Sequence, residues 1–454
     1  MSSQISSKHG AKIEGVKKFE KTWACFSDRS SHCTDHSTSS TCRFEPRRQD
    51  LPSPDSSNGV FLGHANCPFG LSSRVIPVIP GRTKSCAYLI ASAVKTSGLG
   101  ERIAYAFVLK FVNSYASIVI SIFVLTLVLS LLIPLPWPRA FLVMSVMTVV
   151  IRDAGLDKED AAKIGFAVFA ASVPVSLIFL TGDSVLNPLV IAASGATVGW
   201  VKWFIYMGIP AIIASVLTCL AILVLFKPKQ KIIMDKDQIK KQLAAKGRFT
   251  TVEKRTVFWL LVAILLWTTD SVHGMNLGWI TFIVAMLMSM PVLGEILGPQ
   301  AWGEVPVHVL LFLTAAMAIG KIGSITGVNA WIAQTLLPST PPGNIFVLAA
   351  FITGLSMVIH MLLGSVIAVM GVAIPALLAF TASSGITPLI PALLVYTAIS
   401  IHYVLPFHHL NILVGEGKEN GGYSQRESLR MALPLTVIVF IITLLIELHW
   451  WRLL

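Results

Sequence analysis

Leu180-Thr181-Gly182-Asp183-Ser184-Val185-Leu186-Asn187-Pro188 and Val404-Leu405-Pro406-Phe407-His408-His409-Leu410-Asn411 are two short polar interruptions, each set inside a long apolar run. An apolar helical segment precedes each one (Lys163 to Phe179; Leu389 to Tyr403), and an amphipathic approach leads from each into a further apolar helix. The spacing marks an internal repeat. Asn411 lies 411 − 187 = 224 residues after Asn187, and Pro434, expected to open the helix that follows, lies 434 − 210 = 224 residues after Pro210.

A break in a helix leaves N–H and C=O groups unpaired, and hydrocarbon offers them no partners, so a break persists only where it lines a cavity in protein or holds a solute. Two breaks at matching positions of two halves point to a carrier with its binding site near the bilayer midplane. Two kinked helices without a ligand are the plainer reading, since Pro and Gly are ordinary in membrane helices. Composition places the chain in the same environment. Of 454 residues 54% are hydrophobic and 13% charged, with a mean hydropathy of +0.73, against about 25% charged residues in soluble domains. The chain therefore reads as an all-α polytopic membrane protein. Its net charge of +12 does not speak for a nucleic-acid partner, because the basic residues gather in the N-terminal segment and one central loop.

Residues 1–84 are polar, Ser-rich and of low complexity, as in Ser37-Thr38-Ser39-Ser40-Thr41, without an apolar run of membrane length. They read either as disordered or as a misassigned start. Cys25, Cys33, Cys42, Cys67 and Cys86 fall in or just after this segment, at spacings too irregular for a zinc site.

Residues 85–226 form the first repeat: an amphipathic interfacial helix (Ala87 to Phe111), an apolar hairpin (Ala116 to Ile133, then on to Ile151) turned at Pro134-Leu135-Pro136-Trp137-Pro138-Arg139, the first broken helix, and a span from Trp203 to Phe226. Residues 227–255 are a basic linker, cytoplasmic by its Lys and Arg content or a lipid-contacting amphipathic helix. Residues 256–454 hold three apolar segments (Thr256 to Thr268, Leu277 to Leu297, Val307 to Ile319) and then the same series again. An interfacial helix, Lys321 to Leu337, aligns Gly327 on Gly98; a hairpin turns near Leu363-Gly364-Ser365; the second break follows, and Leu429 to Trp451 spans. The three extra segments have no apolar counterpart in the first half, whose initial scaffold helices are missing.

This order resembles the divalent-anion:sodium symporter family, the sodium/sulfate and di- and tricarboxylate carriers, over about residues 85–454. The elements that carry the resemblance are Thr96 to Leu99 with its echo Ile325 to Val328, Thr181-Gly182 with Asn187-Pro188, Pro406 with Asn411, and Gly421-Gly422-Tyr423-Ser424. The resemblance implies an inverted-repeat secondary transporter with re-entrant hairpins and broken helices, multi-pass in the cell membrane and usually a homodimer. It implies movement of sulfate or a di- or tricarboxylate by alternating access, coupled to sodium, with no organic cofactor. The family's Ser-Asn-Thr signature is degenerate at both hairpin tips. That opens two further readings: a proton-coupled or exchange-type carrier of another oxyanion, and an inactive truncated remnant.

Half-helix N-termini favour anions, while unwound carbonyls and acidic side chains favour cations. The substrate-binding candidates are Arg139, Ser184, Asn187, Ser365, His408, His409 and Asn411; the cation-binding candidates are Thr181, Gly182, Asp183, Asn187 and Gly364, for sodium or, at Asp183, a proton. Each has a structural counter-reading: Arg139 snorkels to the interface, one histidine caps a broken end, Asp183 caps the next half-helix. His360 reads as a packed or capping residue, and Asp270 and His273 as exposed loop residues. No phosphate-binding loop, nucleophile elbow or metal motif is present, so an enzyme is not expected.

Overall fold

The computed structural model describes residues 80–229, 236–303, 325–404 and 422–454, together with His408 and isolated positions between 311 and 323. Residues 1–79, which hold most of the low-complexity segment and four of the cysteines, lie outside the described residues, as does most of Val307 to Ile319.

The described chain is helical. It opens with α1 (Pro80–Ser97), α2 (Leu99–Phe111), the hairpin α3 (Tyr115–Leu132) and α4 (Pro136–Asp153), and the two arms of the first broken helix, α5 (Lys158–Val175) and α6 (Leu186–Ser194). Then come α7 (Trp200–Leu225), α8 (Asp237–Ala245) in the linker, α9 (Thr251–Thr268) and α10 (Leu277–Ser289). The second repeat runs through α11 (Val328–Leu336), the hairpin α12 (Ile345–Leu363) and α13 (Val366–Thr381), α14 (Leu389–Ile401) and α15 (Gln425–Leu453). Among the described residues, α3, α7, α12, α13 and α15 are long and apolar enough to cross a membrane.

Gly98 and Gly327, aligned in the sequence, share one backbone conformation. Both take positive φ, 74° and 78°, a left-handed conformation that glycine adopts without steric cost. α2 and α11 start on the residues that follow them. The two hairpins begin alike, α3 capped by Ser114 and α12 by Asn344.

Three expectations are corrected. Ala87 to Phe111 is not one interfacial helix: Gly98 divides it, and Ala87, Leu89, Ile90, Ala93 and Val94 are buried where α1 packs against α10. Its apolar stripe meets protein rather than lipid. The Leu277 to Leu297 run is helical only to Ser289; Pro291 cannot continue the ladder, and the Ile296 N–H turns back to Met288 O at 3.1 Å. Pro434 does not open a helix but lies inside α15; Pro210 stands in the first turn of the α-helical part of α7, Ile209–Leu225. Ahead of Pro210, which has no N–H to donate, Phe204–Gly208 winds as a π-helix.

The core is organised by α5 and α14, the arms that lead into the breaks. α5 is buried from Asp160 to Val175 and α14 from Leu389 to Ile401, with Ile390 alone partly exposed. A helix apolar on all sides belongs inside a bundle, and these two pack on each other, flanked by α3 and α4 and by α12 and α13 respectively.

The linker is stapled to the first repeat. Buried Arg102 on α2 gives Nε to Glu253 Oε1 (2.6 Å) and Nη2 to Oε2 (3.1 Å), with further bonds to the carbonyls of Lys246 and Gly247. Asp160 and Lys163 hold Lys227 and Lys229 in the same way. Glu253 also closes the capping box with Thr250 at the start of α9, ahead of the apolar run. Burial pushes its carboxyl up, but the hydrogen bonds from Arg102 and Thr250 outweigh this and hold it below its ordinary 4.5. A depressed carboxylate contributes fully above its unfolded value and loses that contribution as pH falls through the folded one. The thermal midpoint of the purified protein is therefore expected to drop on acidification below 4.5. Glu253→Gln is expected to be less stable at neutral pH and to show a shallower acid slope; an identical slope in both proteins would remove this latch from the account.

Candidate functional site

α5 unwinds after Val175, makes one 3-10 turn at Leu180–Asp183 and re-enters helix at Leu186. The carbonyls left behind are collected by one side chain. Asn187, fully buried, donates Nδ2 to the carbonyls of Ser176 (2.9 Å), Phe179 (2.9 Å) and Leu180 (3.3 Å), and its Oδ1 accepts the Tyr396 hydroxyl of α14 at 2.6 Å. Asp183 Oδ1 accepts the N–H groups of Val185 and Leu186, both at 2.9 Å, which caps α6. Thr181 Oγ1 accepts the Trp200 indole N–H at 3.0 Å. A Cβ on Gly182 would stand 2.6 Å from Ser176 O, so only glycine fits there.

The first hairpin turn reaches this break. Ser184 N–H donates to Pro134 O at 3.1 Å, and Arg139, at 0% exposure, bridges both elements. Its Nη1 donates to Ile133 O and Gly182 O, each at 3.1 Å, and Nη2 to Ser176 Oγ at 2.6 Å. Nε has no partner, and among the described residues no carboxylate forms an ion pair with the guanidinium. Arg139 therefore does not snorkel. It is a fixed cation resting on carbonyl oxygens where hairpin and break meet.

At the second break α14 ends at Ile401 and the chain runs extended through His402 to Val404. His402 Nε2 lies 3.1 Å from Thr436 Oγ1, and Val404 O accepts the Ser428 hydroxyl at 3.0 Å. His408 Nδ1 accepts the Val404 N–H at 3.0 Å, and its ring stands 4.7 Å from that of buried His360. A ring nitrogen that accepts carries no proton, so while this bond holds, the His408 ring is neutral. His409 and Asn411 lie outside the described residues. Gly364, at φ 68°, ends α12, and Ser365 Oγ accepts the Ala368 N–H at 3.4 Å to start α13.

Each break is laced to the leading arm of the other repeat. Asn187 of the first holds Tyr396 on α14, and the Tyr403 ring of the second lies tilted 4.6 Å from that of Phe169 on α5. This reciprocity joins residues 209 positions apart, a pairing that no local pattern announces.

A cavity of about 830 Å³ opens between the first break, the start of α7 and α10, lined by Thr181, Ser184, Lys202, Asp270 and Asn276 among others. That lies within the range of about 300–1,000 Å³ of small-molecule sites. Asp270 is not the exposed loop residue expected: it is buried, and its Oδ2 accepts the Trp200 N–H at 2.6 Å, capping α7. His273 is half-buried and bonds Leu266 O through Nε2 at 2.9 Å. Asp270 escaped the sequence reading because it meets the site from 70 residues beyond Trp200, and Lys202 because it lies on the apolar helix after the break rather than in the break itself.

Residues 85–454 match the family described as the sodium:sulfate symporter transmembrane region. A membrane protein of Cupriavidus necator is 24% identical over 421 residues, 90% of this chain and 80% of that protein. The chloroplastic dicarboxylate transporter 1 of Spinacia oleracea is 26% identical over 268 residues, 55% of this chain and 46% of that protein. A putative malate transporter of Bacillus subtilis is 27% identical over 196 residues, 40% of each. The match thus spans less than half the length of the latter two proteins.

Proposed function

Since the chain belongs to the sodium:sulfate symporter family, we propose that it carries a small dicarboxylate across the cell membrane by alternating access, exchanging one dianion for another without sodium. It is a membrane transporter of a small anion and not an enzyme. The dicarboxylate class is supported by the names of the spinach and Bacillus relatives. Exchange is supported by Arg139. A guanidinium bonded to the carbonyls of Ile133 and Gly182 already supplies those oxygens with a positive charge, so a mobile sodium ion would have to displace it.

In this reading the anion docks in the cavity against Thr181, Ser184 and Lys202; Ser365 and His408, outside that lining, remain with His409 and Asn411 the substrate-binding candidates of the second repeat. Asn187 holds the break in shape. The basic linker, residues 227–255, is cytoplasmic, and the protein is a homodimer. A second reading keeps sodium coupling: Asp183, with the backbone of Gly182 and Gly364 and the Thr181 hydroxyl, is a set of hard oxygens suited to sodium or a proton, and the family's description names sodium.

The test is uptake of labelled malate into proteoliposomes, preloaded with unlabelled malate or empty, with and without sodium. With equal pH on both sides, uptake that requires internal malate and ignores sodium is expected. Uptake into empty vesicles that requires sodium, and is lost in Asp183→Asn, would replace exchange by symport.

A further inference from the structure

Glu447 plays no part in the site described above. It closes the π-helical stretch Ile441–Glu447 of α15 and is fully buried. Its Oε1 accepts the Thr397 hydroxyl of α14 at 2.5 Å, and among the described residues its Oε2 has no hydrogen-bond partner. Among the described residues no cationic group forms an ion pair with it. The ionisable side chains on the elements around it are Lys202, Tyr206 and Cys219 on α7, His360 on α12 and Tyr396 on α14, with Arg426, Glu427, Arg430, His449 and Arg452 on its own helix. None is hydrogen-bonded to it, and Arg452 instead lies 5.0 Å from the centre of the Phe346 ring.

A carboxylate enclosed at membrane depth without a counter-charge is costly, and such groups are characteristically proton carriers or ion sites. A bare metal cation would require several oxygens. Here one hydroxyl meets one carboxylate oxygen, and the other oxygen is left over. That geometry suits the smallest cation. Two further buried hydroxyls without partners, Thr218 on α7 and Thr353 on α12, belong to helices packed around this stretch. The Thr397 bond also ties Glu447 to the helix whose neighbouring residue, Tyr396, holds Asn187 in the first break. Whatever changes at Glu447 is therefore two residues and two hydrogen bonds from the break.

We propose that Glu447 is a proton-binding site through which net dicarboxylate movement is coupled to a pH gradient. A proton from one aqueous phase adds to the carboxylate, the neutral carboxyl crosses with the loaded carrier, and the proton leaves to the other phase as the sites reopen. Exchange of like anions leaves Glu447 protonated throughout. Net uptake requires the proton to come off. The coupling half of this proposal rests on the carrier reading above; the proton site itself does not.

The experiment has two arms on the full chain, wild type and Glu447→Gln. In the first, infrared spectra across a pH titration are expected to show a buried carboxyl C=O band that the variant lacks; the same band in both proteins, or none in either, overturns the proton site. In the second, malate–malate exchange in proteoliposomes is expected to survive in Glu447→Gln, while uptake driven by a gradient of about one pH unit falls about tenfold, the value of one coupled proton. Equal loss of both activities would make Glu447 a structural residue, and unchanged gradient-driven uptake would remove coupling. If wild type moves no malate at all, the carrier reading fails while the infrared arm still decides the proton site.

Discussion

Asn187→Ala is expected to abolish transport and to lower stability by about 3–5 kcal/mol, at the high end of single substitutions because it strands several buried polar groups together. The amide closes four hydrogen bonds at once, three to carbonyls of the unwound segment and one from Tyr396. With no water or lipid partner at that depth, those carbonyls would be satisfied only by rewinding the break or by letting water in. Tyr396→Phe removes one donor and leaves Oδ1 of Asn187 alone, a loss of about 1–3 kcal/mol. Thermal midpoints of detergent-solubilised protein, read by size-exclusion chromatography, give the order: wild type above Tyr396→Phe above Asn187→Ala. A midpoint unchanged in Asn187→Ala would mean that the break is held by its neighbours and not by this amide.

Arg139→Ala is expected to reduce malate exchange on the order of 100-fold, because it removes a buried charge-assisted hydrogen-bond set that joins the hairpin turn to the break. Arg139→Lys keeps the charge but not the fork that reaches Ile133, Gly182 and Ser176 together, and is expected to fall between. The informative result lies in the salt used. If the guanidinium stands in for a mobile cation, the alanine variant exposes two carbonyls, and sodium is expected to restore part of its activity. Equal loss in sodium and in potassium would leave Arg139 a mechanical clamp only.

Much of the architecture was legible because membrane insertion constrains sequence so strongly. Apolar runs of spanning length, prolines at the first hairpin turn, and polar interruptions at matching positions leave few other folds. The likeness of Gly98 and Gly327 was legible, since a left-handed residue ahead of a helix is written as glycine. Segment ends were less so. α10 stops at Ser289 because of Pro291, and the stripe of Ala87 to Val94 faces α10, because lipid and protein interiors select the same side chains.

The residues of the site divide along the same line. That Asp183, Asn187 and Arg139 are candidates could be read from their chemistry alone, since polar groups at membrane depth are rare and costly. What each one does could not. Asp183 caps α6, Asn187 serves as a clamp, and Arg139 rests on two carbonyls. Asp270 and Glu447 drew little notice in the chain, one within a loop and the other near the end of the last span. Sequence by itself determined an α-helical membrane protein, because hydrophobic length and helix-breaking residues act locally. Only the tertiary structure decided which breaks, turns and helices touch, because the hydrogen bonds that satisfy an unwound helix come from wherever the fold brings a donor, here from as far as 209 residues away.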